Sequence, residues 1–212
     1  MYNSKAIHRN EKILELCSNK VVLDVGAIGQ DNYFDDVDWL HEKILKVALS
    51  VTGVDIIQIE IHKLNALGYT FYDFNELKNI NLKYDIIIMA DVIEHIENPK
   101  DFLNQYAQFL IDEGSIILTT PNSNRARNFL SILFFNNYGL NSEHTFWFCP
   151  RTMSELINRT NLRIQDFYWL KESNRFCRFR KLKIILLIIE KILAYFRSNF
   201  NPSFMIILKK VD

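Results

Sequence analysis

Short apolar runs of strand length alternate along the chain with stretches in which apolar residues recur at helical spacing. The apolar runs lie at residues 21–25, 50–54, 69–72, 84–90 and 114–120. Helical spacing fills the intervals at residues 38–49, 56–67 and 99–110. Because strands that alternate with helices form βαβ units, this pattern predicts an α/β fold built around a parallel sheet.

Beyond residue 121 the pattern is less regular. It predicts helices over 124–135, 152–160 and 178–197, strands over 162–170 and 203–209, and a loop over 136–149. Parallel sheets bind their ligands at the carboxyl ends of the strands. Four acidic residues lie at or just after the ends of predicted strands, and we expect them at that edge: Asp24, Asp55, Asp73 and Asp91.

The composition is that of a globular chain. Its 212 residues are 49% hydrophobic, enough for one domain with a large core, and only 6 Gly and 4 Pro exclude collagen-like and linker-rich chains. Cys17, Cys149 and Cys177 lie far apart without a CxxC pair, which argues against a zinc ribbon and against a disulfide scaffold. We therefore expect a reducing, cytoplasmic location.

The charge is balanced overall but unevenly distributed. The chain has 25 basic and 25 acidic residues, which argues against a dedicated nucleic-acid-binding protein. Residues 171–212 carry a net charge of +7, and residues 1–170 a net charge of −7. The N-terminus lacks the apolar core of an export signal, and no run reaches the roughly 20 apolar residues of a membrane span.

In the predicted helix at 178–197, a basic cluster at 175–183 precedes the apolar run 184–189, and the helix is apolar over most of its surface. Lys183, Glu190 and Arg197 fall on one narrow polar stripe of such a helix. This pattern predicts peripheral contact with the inner face of an anionic membrane, or burial against the sheet or in a dimer. Both interpretations stay open at this stage.

The first candidate binding segment is the turn after the first strand, Val22-Leu-Asp-Val-Gly-Ala-Ile-Gly-Gln30. Glycine at this place lets the backbone approach a ligand closely, and the N-terminus of a following helix binds carboxylates or phosphates. An ordinary glycine-containing turn between a strand and a helix would show the same residues.

Two further segments place acidic side chains after strands. Asp55 could accept both hydroxyls of a ribose, or it could cap the helix that follows. Asp91, Glu94 and His95 follow the buried strand at 84–90, either as a catalytic cluster or as caps of the strand end and the next helix.

In this order, the segments resemble the class I S-adenosylmethionine-dependent methyltransferases, and most closely the small methyltransferase-domain proteins among glycan- and lipid-modifying enzymes. The resemblance rests on LDVGAIG, VTGVDI, YDIIIMADVIEHIENPKDFL and GSIILTTPN, within residues 20–170. It implies a Rossmann-like seven-stranded, mostly parallel sheet with the last strand antiparallel and helices on both faces. We expect a single domain over 1–212, with its core at about 20–170, the final strand at 203–209 and a basic and apolar helical insertion at 171–200.

The resemblance also implies S-adenosyl-L-methionine as the cofactor. The loop after the first strand would contact its methionine end, the second strand its ribose and adenine face, the third its adenine amino group, and the fourth its amino-acid moiety. The loop residues are Asp24, Gly26, Ala27 and Gly29, and the ribose and adenine face would meet Asp55 and Ile56. The adenine amino group would meet Asp73 and Phe74, and the amino-acid moiety Ala90 and Asp91.

The loop departs from the family pattern, acidic-x-Gly-x-Gly-x-Gly. Ile28 and Gln30 occupy the second and third glycine positions. A branched residue such as Ile28 cannot adopt a positive φ cheaply, so the loop follows a different path or Gly29 supplies the flexibility. Some glycan-type members combine such a loop with a Trp-Leu-His helix start, as at Trp39-Leu-His41.

Methyl transfer requires an aligned acceptor and, for a hydroxyl, a group that receives the proton. His144, in the aromatic loop after the fifth strand, and His95 are the candidate bases. The alternative for both is structural, with His144 pinning the aromatic loop and His95 packing behind the cofactor. His8, His41 and His62 lack the spacing of metal ligands, and no HExxH pattern occurs, so we predict no metal.

The sequence thus predicts a methyltransferase that O-methylates a saccharide or a lipid-linked acceptor. Alternatives are a methyltransferase of a small metabolite or quinone and a non-catalytic, cofactor-binding partner subunit, which only Ile28 and Gln30 support. A nicotinamide-dependent enzyme would need Gly-x-Gly-x-x-Gly, which the segment from Gly26 does not contain. The expected partner is a small-molecule, saccharide or lipid-linked acceptor and not a nucleic acid.

Overall fold

The computed structural model describes residues 6–29, 39–136, 141–171 and 181–211, with side chains omitted at 135 and 181–187. Several predictions lie outside these residues: the loop position Gln30, the helix starts at 38 and 178, Cys177, and most of the basic cluster at 175–183.

The described residues form a seven-stranded sheet. Its strands are β1 (Val21–Val25), β2 (Ser50–Val54), β3 (Phe71–Tyr72), β4 (Tyr84–Ala90), β5 (Leu110–Pro121), β6 (Leu162–Leu170) and β7 (Ser203–Lys210). They are arranged in the order β3-β2-β1-β4-β5-β7-β6. The strands β1 to β5 are parallel, and β7 runs antiparallel to both β5 and β6. The predicted Rossmann-like sheet with an antiparallel last strand is confirmed.

Helices cover both faces of the sheet. They are α1 (Arg9–Cys17), α2 (Leu40–Leu45), α3 (Gln58–Ala66), α4 (Phe74–Asn79), α5 (Pro99–Ala107), α6 (Ala126–Phe135), α7 (Pro150–Ile157) and α8 (Lys181–Phe196). Successive strand residues point to opposite faces, so Leu23 packs in the core with α5 and α7, whereas Val22 packs with α1 and α2. The central strands β1, β2 and β4 are therefore largely buried on both sides.

Two helices were not expected from the sequence. The charged and apolar residues near the N-terminus form α1, whose Ile13 and Cys17 are fully buried. The short helix α4 begins at Asp73, which accepts a hydrogen bond from the Glu76 amide in a capping box. A cap of this kind starts a helix that is too short to show a clear apolar period.

Candidate functional site

The loop after β1 turns at two glycines with positive φ. Gly26 has φ 70° and Gly29 has φ 69°, whereas Ile28 avoids the left-handed region and is buried. A Cβ atom at Gly26 would lie 2.7 Å from Cγ2 of Val92, so only glycine fits there without a shift. The expectation that Gly29 supplies the flexibility missing at Ile28 is confirmed.

Three side chains hold this loop in place. Trp39 Nε1 donates a hydrogen bond to the Ala27 carbonyl at 2.7 Å, and Asp55 Oδ2 accepts one from the Ile28 amide at 2.9 Å. His41 Nδ1 lies 2.9 Å from Asp24 Oδ2, and both side chains are buried. The Trp-Leu-His segment thus anchors the variant loop from the start of α2.

The buried pairing with His41 turns the Asp24 carboxylate toward α2. We therefore place Asp24 beneath the loop as a supporting group. A contact of Asp24 with the methionine end of the cofactor stays a prediction, as do the contacts of Gly26, Ala27 and Gly29. The loop itself, with its two positive-φ glycines, lies at the carboxyl end of β1, where a ligand would meet it.

Asp55 lies at the carboxyl end of β2 and is nearly buried. Its Oδ1 accepts hydrogen bonds from the amides of Ile56 at 2.7 Å and Ile57 at 3.3 Å. A carboxylate offers about four lone-pair sites, so these bonds and the one from Ile28 leave capacity for a hydroxyl group. Ile56 is 90% exposed, which suits a surface against which a flat ring can pack.

The end of β3 is linked to the start of α3. Gln58 Nε2 donates a hydrogen bond to Asp73 Oδ2 at 2.7 Å, and Oδ1 of Asp73 accepts from the Glu76 amide at 2.8 Å. The hydrogen bond from the Glu76 amide, with a smaller effect of Gln58, lowers the pKa of Asp73. Phe74 packs against Tyr106, with ring centroids 5.0 Å apart, and this contact fixes the start of α4.

Asp91 follows Ala90, the last residue of β4, and adopts φ 56°. Thr119 Oγ1 donates to Asp91 Oδ1 at 2.9 Å, and Arg9 forms an ion pair with the other carboxylate oxygen. Sequence reasoning missed Arg9, because α1 brings it to the site from 82 residues upstream. Its guanidinium places a positive charge beside the predicted amino-acid subsite.

Glu94, His95 and His144 come together beyond Asp91. Glu94 and His95 belong to a short 3-10 turn, and the Glu94 carbonyl accepts hydrogen bonds from the amides of Thr145 at 2.9 Å and Phe146 at 3.1 Å. These bonds bring the loop with His144 onto the turn. The two histidine rings meet edge to face, with centroids 4.7 Å apart.

The environment of this cluster disfavours charge on its side chains. Burial raises the pKa of Glu94 to about 8, and the nearby Asp91 carboxylate adds to the rise. Burial also lowers the pKa of His144, as does the neighbouring His95 ring. The lowered pKa favours the neutral imidazole of His144, which has a nitrogen able to accept a proton.

A pocket opens next to His144 between the end of β5, the start of α6 and the aromatic loop. The residues that shape it include Glu94, Asn122, Arg125, Asn128, His144 and Trp147. Asn122 Nδ2 donates to the carbonyls of Asn199 and Asn201, both at 2.8 Å, and fixes one wall. His144 thus lines a pocket next to the predicted cofactor site. His95 is not among the residues that line this pocket, but its ring packs against the His144 ring.

The helix α8 packs against α6 through buried charge. Glu190 is 3% exposed, and its carboxylate lies 2.9 Å from Arg125 and 3.3 Å from Arg127. Part of the predicted polar stripe therefore faces α6.

Several large apolar side chains of these two helices are exposed. They are Ile188, Ile192, Tyr195 and Phe196 of α8, and Phe129, Leu133 and Phe134 of α6. Within the described helices, none has the length and apolar character to span a membrane.

A family model described as Methyltransferase domain matches residues 2–166, which is most of the chain. The chain belongs to this methyltransferase-domain family. The crystal structure of a SAM dependent methyltransferase from Archaeoglobus fulgidus is similar to this methyltransferase domain with a TM-score of 0.54 and 16% identity, covering 95% of each chain. Family and fold together confirm the predicted class, an S-adenosylmethionine-dependent methyltransferase, and its predicted cofactor.

Curated relatives of this methyltransferase domain include ubiquinone biosynthesis O-methyltransferases. The Rickettsia bellii protein is 24% identical over 162 residues, covering 70% of this chain and 64% of the relative. The mitochondrial Arabidopsis thaliana protein is 24% identical over 143 residues, covering 60% of this chain and 44% of the relative. The chain therefore spans about half to two thirds of the length of these relatives.

Proposed function

We propose that the protein transfers the methyl group of S-adenosylmethionine to a hydroxyl oxygen of a small acceptor of the quinone or phenol class. The observation that carries this proposal is the pocket lined by His144 at the carboxyl end of β5, next to Glu94 in the turn that follows β4. The relatives support a quinone-type acceptor, the alternative expected from the sequence, over a saccharide or a lipid-linked glycan.

The cofactor-binding half of the site would use residues from four strand ends. Asp55 would accept the ribose hydroxyls, the exposed Ile56 would pack on the adenine ring, and Asp73 with the Phe74 amide would face the adenine amino group. Gly26, Ala27, Gly29 and Ala90 would line the methionine end, where Asp91 and Arg9 provide charges of both signs.

When bound, S-adenosylmethionine supplies a methyl group that is already activated on a sulfonium centre. The chain must then hold the acceptor oxygen in line with the methyl carbon and receive the hydroxyl proton. The methyl group would then pass from the sulfonium sulfur, which would become neutral, to the acceptor oxygen as its proton leaves. His144 would accept the proton, since its imidazole is neutral and faces the pocket.

The walls of the pocket suit a flat acceptor. Trp147 lines the pocket, and the adjacent Phe146 and Phe148 rings stack with centroids 5.8 Å apart. An aromatic wall favours stacking of a benzenoid ring in a defined orientation. The non-catalytic alternative loses its main support, because Gly29 supplies the turn that Ile28 cannot.

Transfer of a labelled methyl group tests the proposal. We expect the purified protein to label catechols that carry an apolar tail and to leave saccharide acceptors unlabelled, because the Trp147 ring lines the pocket together with His144. Label found only in saccharides would contradict the quinone class. Binding of the cofactor without transfer to either class would contradict O-methylation of these acceptors.

The exposed apolar residues of α6 and α8 support the predicted contact with a membrane surface, where an acceptor with an apolar tail resides. We expect the protein to float with anionic vesicles at low salt and the double variant Ile188→Ser, Ile192→Ser to remain in the soluble fraction. The apolar side chains would enter the interface, while the exposed Lys191 and Arg197 would contribute about 1 kcal/mol each at an anionic leaflet.

The matched control for flotation is Leu49→Ser with Leu67→Ser, which removes two exposed leucines outside α6 and α8. This variant should float as the parent does. Equal flotation of both double variants, or a parent that stays soluble, would contradict the membrane contact and favour a protein interface on α8.

A further inference from the structure

A glutamate interrupts the apolar surface of α8 and is buried against α6. Glu190 is 3% exposed, and its Oε1 lies 2.9 Å from both Nε and Nη2 of Arg125. Its Oε2 lies 3.3 Å from Nε of Arg127, without the alignment of a hydrogen bond. An apolar pair is often more stable than a buried ion pair, so packing alone does not account for a glutamate at this position.

The Arg125 guanidinium lies where a positive charge is unfavourable. Arg125 directly precedes the first turn of α6, and Arg127 lies in that turn, which contains no acidic residue. The N-terminus of a helix carries a partial positive charge and disfavours cations. Glu190 supplies from α8 the negative charge that this end of α6 lacks. The ion pair therefore holds a guanidinium at a place that would disfavour an arginine alone.

The Arg125 side chain also lines the pocket that contains His144. Ser123, Asn128 and Trp147 line the pocket with it, whereas Arg127 is not part of the described lining. A guanidinium presents five N–H donors in a rigid fork, so it can bind a carboxylate and a second oxygen atom at once. Glu190 thus fixes a charged hydrogen-bond donor in the wall of the pocket.

A second contact ties the segment after α8 to the same wall. Asn122 is fully buried, and its Nδ2 donates hydrogen bonds to the carbonyls of Asn199 and Asn201, both at 2.8 Å. The Asn122 amide donates to the Pro202 carbonyl at 2.9 Å. The segment that includes α8 is therefore attached to the pocket through Asn122 as well as through Glu190.

We propose that Glu190 is a positioning residue of the acceptor site, which holds the Arg125 guanidinium so that it donates hydrogen bonds to an oxygen atom of the acceptor. In a catechol this would be the oxygen that is not methylated, since His144 is the group expected beside the reacting hydroxyl. The inference rests on the proposed function, because it assigns the contact to an acceptor of that class. It makes α8, predicted from the sequence as a membrane or dimer element, a part of the acceptor site.

Binding of 4-nitrocatechol to the protein saturated with S-adenosylhomocysteine tests this role, because the visible absorption of the probe reports binding without methyl transfer. We expect Arg125→Met and Glu190→Gln each to raise the dissociation constant of the probe by at least about tenfold, the loss expected for a hydrogen bond from a charged donor. The affinity for S-adenosylhomocysteine should keep its parental value, because neither residue belongs to the predicted cofactor site.

Two further variants separate positioning from packing. Arg127→Gln removes the other partner of Glu190 but no residue of the described pocket lining, so it should bind the probe as the parent does. The double variant Arg125→Met, Glu190→Gln should bind it no more weakly than Arg125→Met alone, because Glu190 acts through Arg125. Thermal unfolding shows which variants are folded. If Arg125→Met is not, the comparison of Glu190→Gln with Arg127→Gln decides the test.

Parental affinity of Glu190→Gln for the probe would overturn the positioning role. An equal loss of affinity in Arg127→Gln, or an additive loss in the double variant, would do the same. These outcomes leave the proposed function intact, because the parent still binds the catechol. A folded parent that binds no 4-nitrocatechol would instead contradict the proposed acceptor class, and the role of Glu190 with it.

Discussion

Replacing His144 by alanine is expected to lower the turnover of methyl transfer by roughly 10²–10⁴-fold while leaving cofactor affinity nearly unchanged. The imidazole lines the pocket, and under the proposed function its nitrogen would receive the hydroxyl proton. Steady-state kinetics with the labelled methyl donor, together with calorimetry of S-adenosylhomocysteine binding, measure the two effects separately.

The exposed His62 on α3 provides the matched control, because His62→Ala removes the same side chain away from the pocket. That variant should keep parental turnover. If His144→Ala keeps more than about a third of the parental rate, a functional role in the chemical step is ruled out. The residue would then only hold the aromatic loop in place.

Asp55→Ala is expected to weaken binding of S-adenosylmethionine by roughly 10- to 150-fold, or about 1.5–3 kcal/mol, through loss of a charged acceptor for two ribose hydroxyls. The structure adds a second reason, since Asp55 also holds the Ile28 amide and so the path of the loop after β1. Isothermal titration of parent and variant with the cofactor measures the change.

Asp85→Ala separates these effects from a general loss of stability. Asp85 Oδ2 accepts a hydrogen bond from the Val21 amide at 2.8 Å. Like Asp55, its carboxylate thus binds a backbone amide, but it does so at the amino ends of β1 and β4, away from the predicted cofactor site. This variant should bind the cofactor with parental affinity. Equal affinity of Asp55→Ala and the parent would contradict the assignment of the ribose to Asp55.

The central strands could be predicted from the sequence because β1, β2 and β4 are largely buried on both faces. The runs at β1, β2, β4 and β6 have the bounds expected from their apolar character. The antiparallel β7 came from the family resemblance, since no local pattern reports the direction of a strand. The short helix α4 depends on the cap at Asp73, and such a cap is visible in a sequence only when the helix is already suspected.

The candidate site could be predicted in part. Acidic residues at strand ends are local signals, and Asp55, Asp73 and Asp91 lie where the parallel topology requires them. Long-range pairings were not visible, because nothing near Asp91 in sequence indicates Arg9, and nothing near Glu94 indicates that His144 contacts His95. Both depend on how α1 and the loop after α6 return to the sheet.

A crystal structure of the protein with bound S-adenosylhomocysteine would test the central claim most directly. The account predicts that the ribose hydroxyls contact Asp55, that the adenine ring packs on Ile56, and that the sulfur atom faces the pocket lined by His144. A ligand bound elsewhere, or one whose sulfur atom is screened from that pocket, would contradict it.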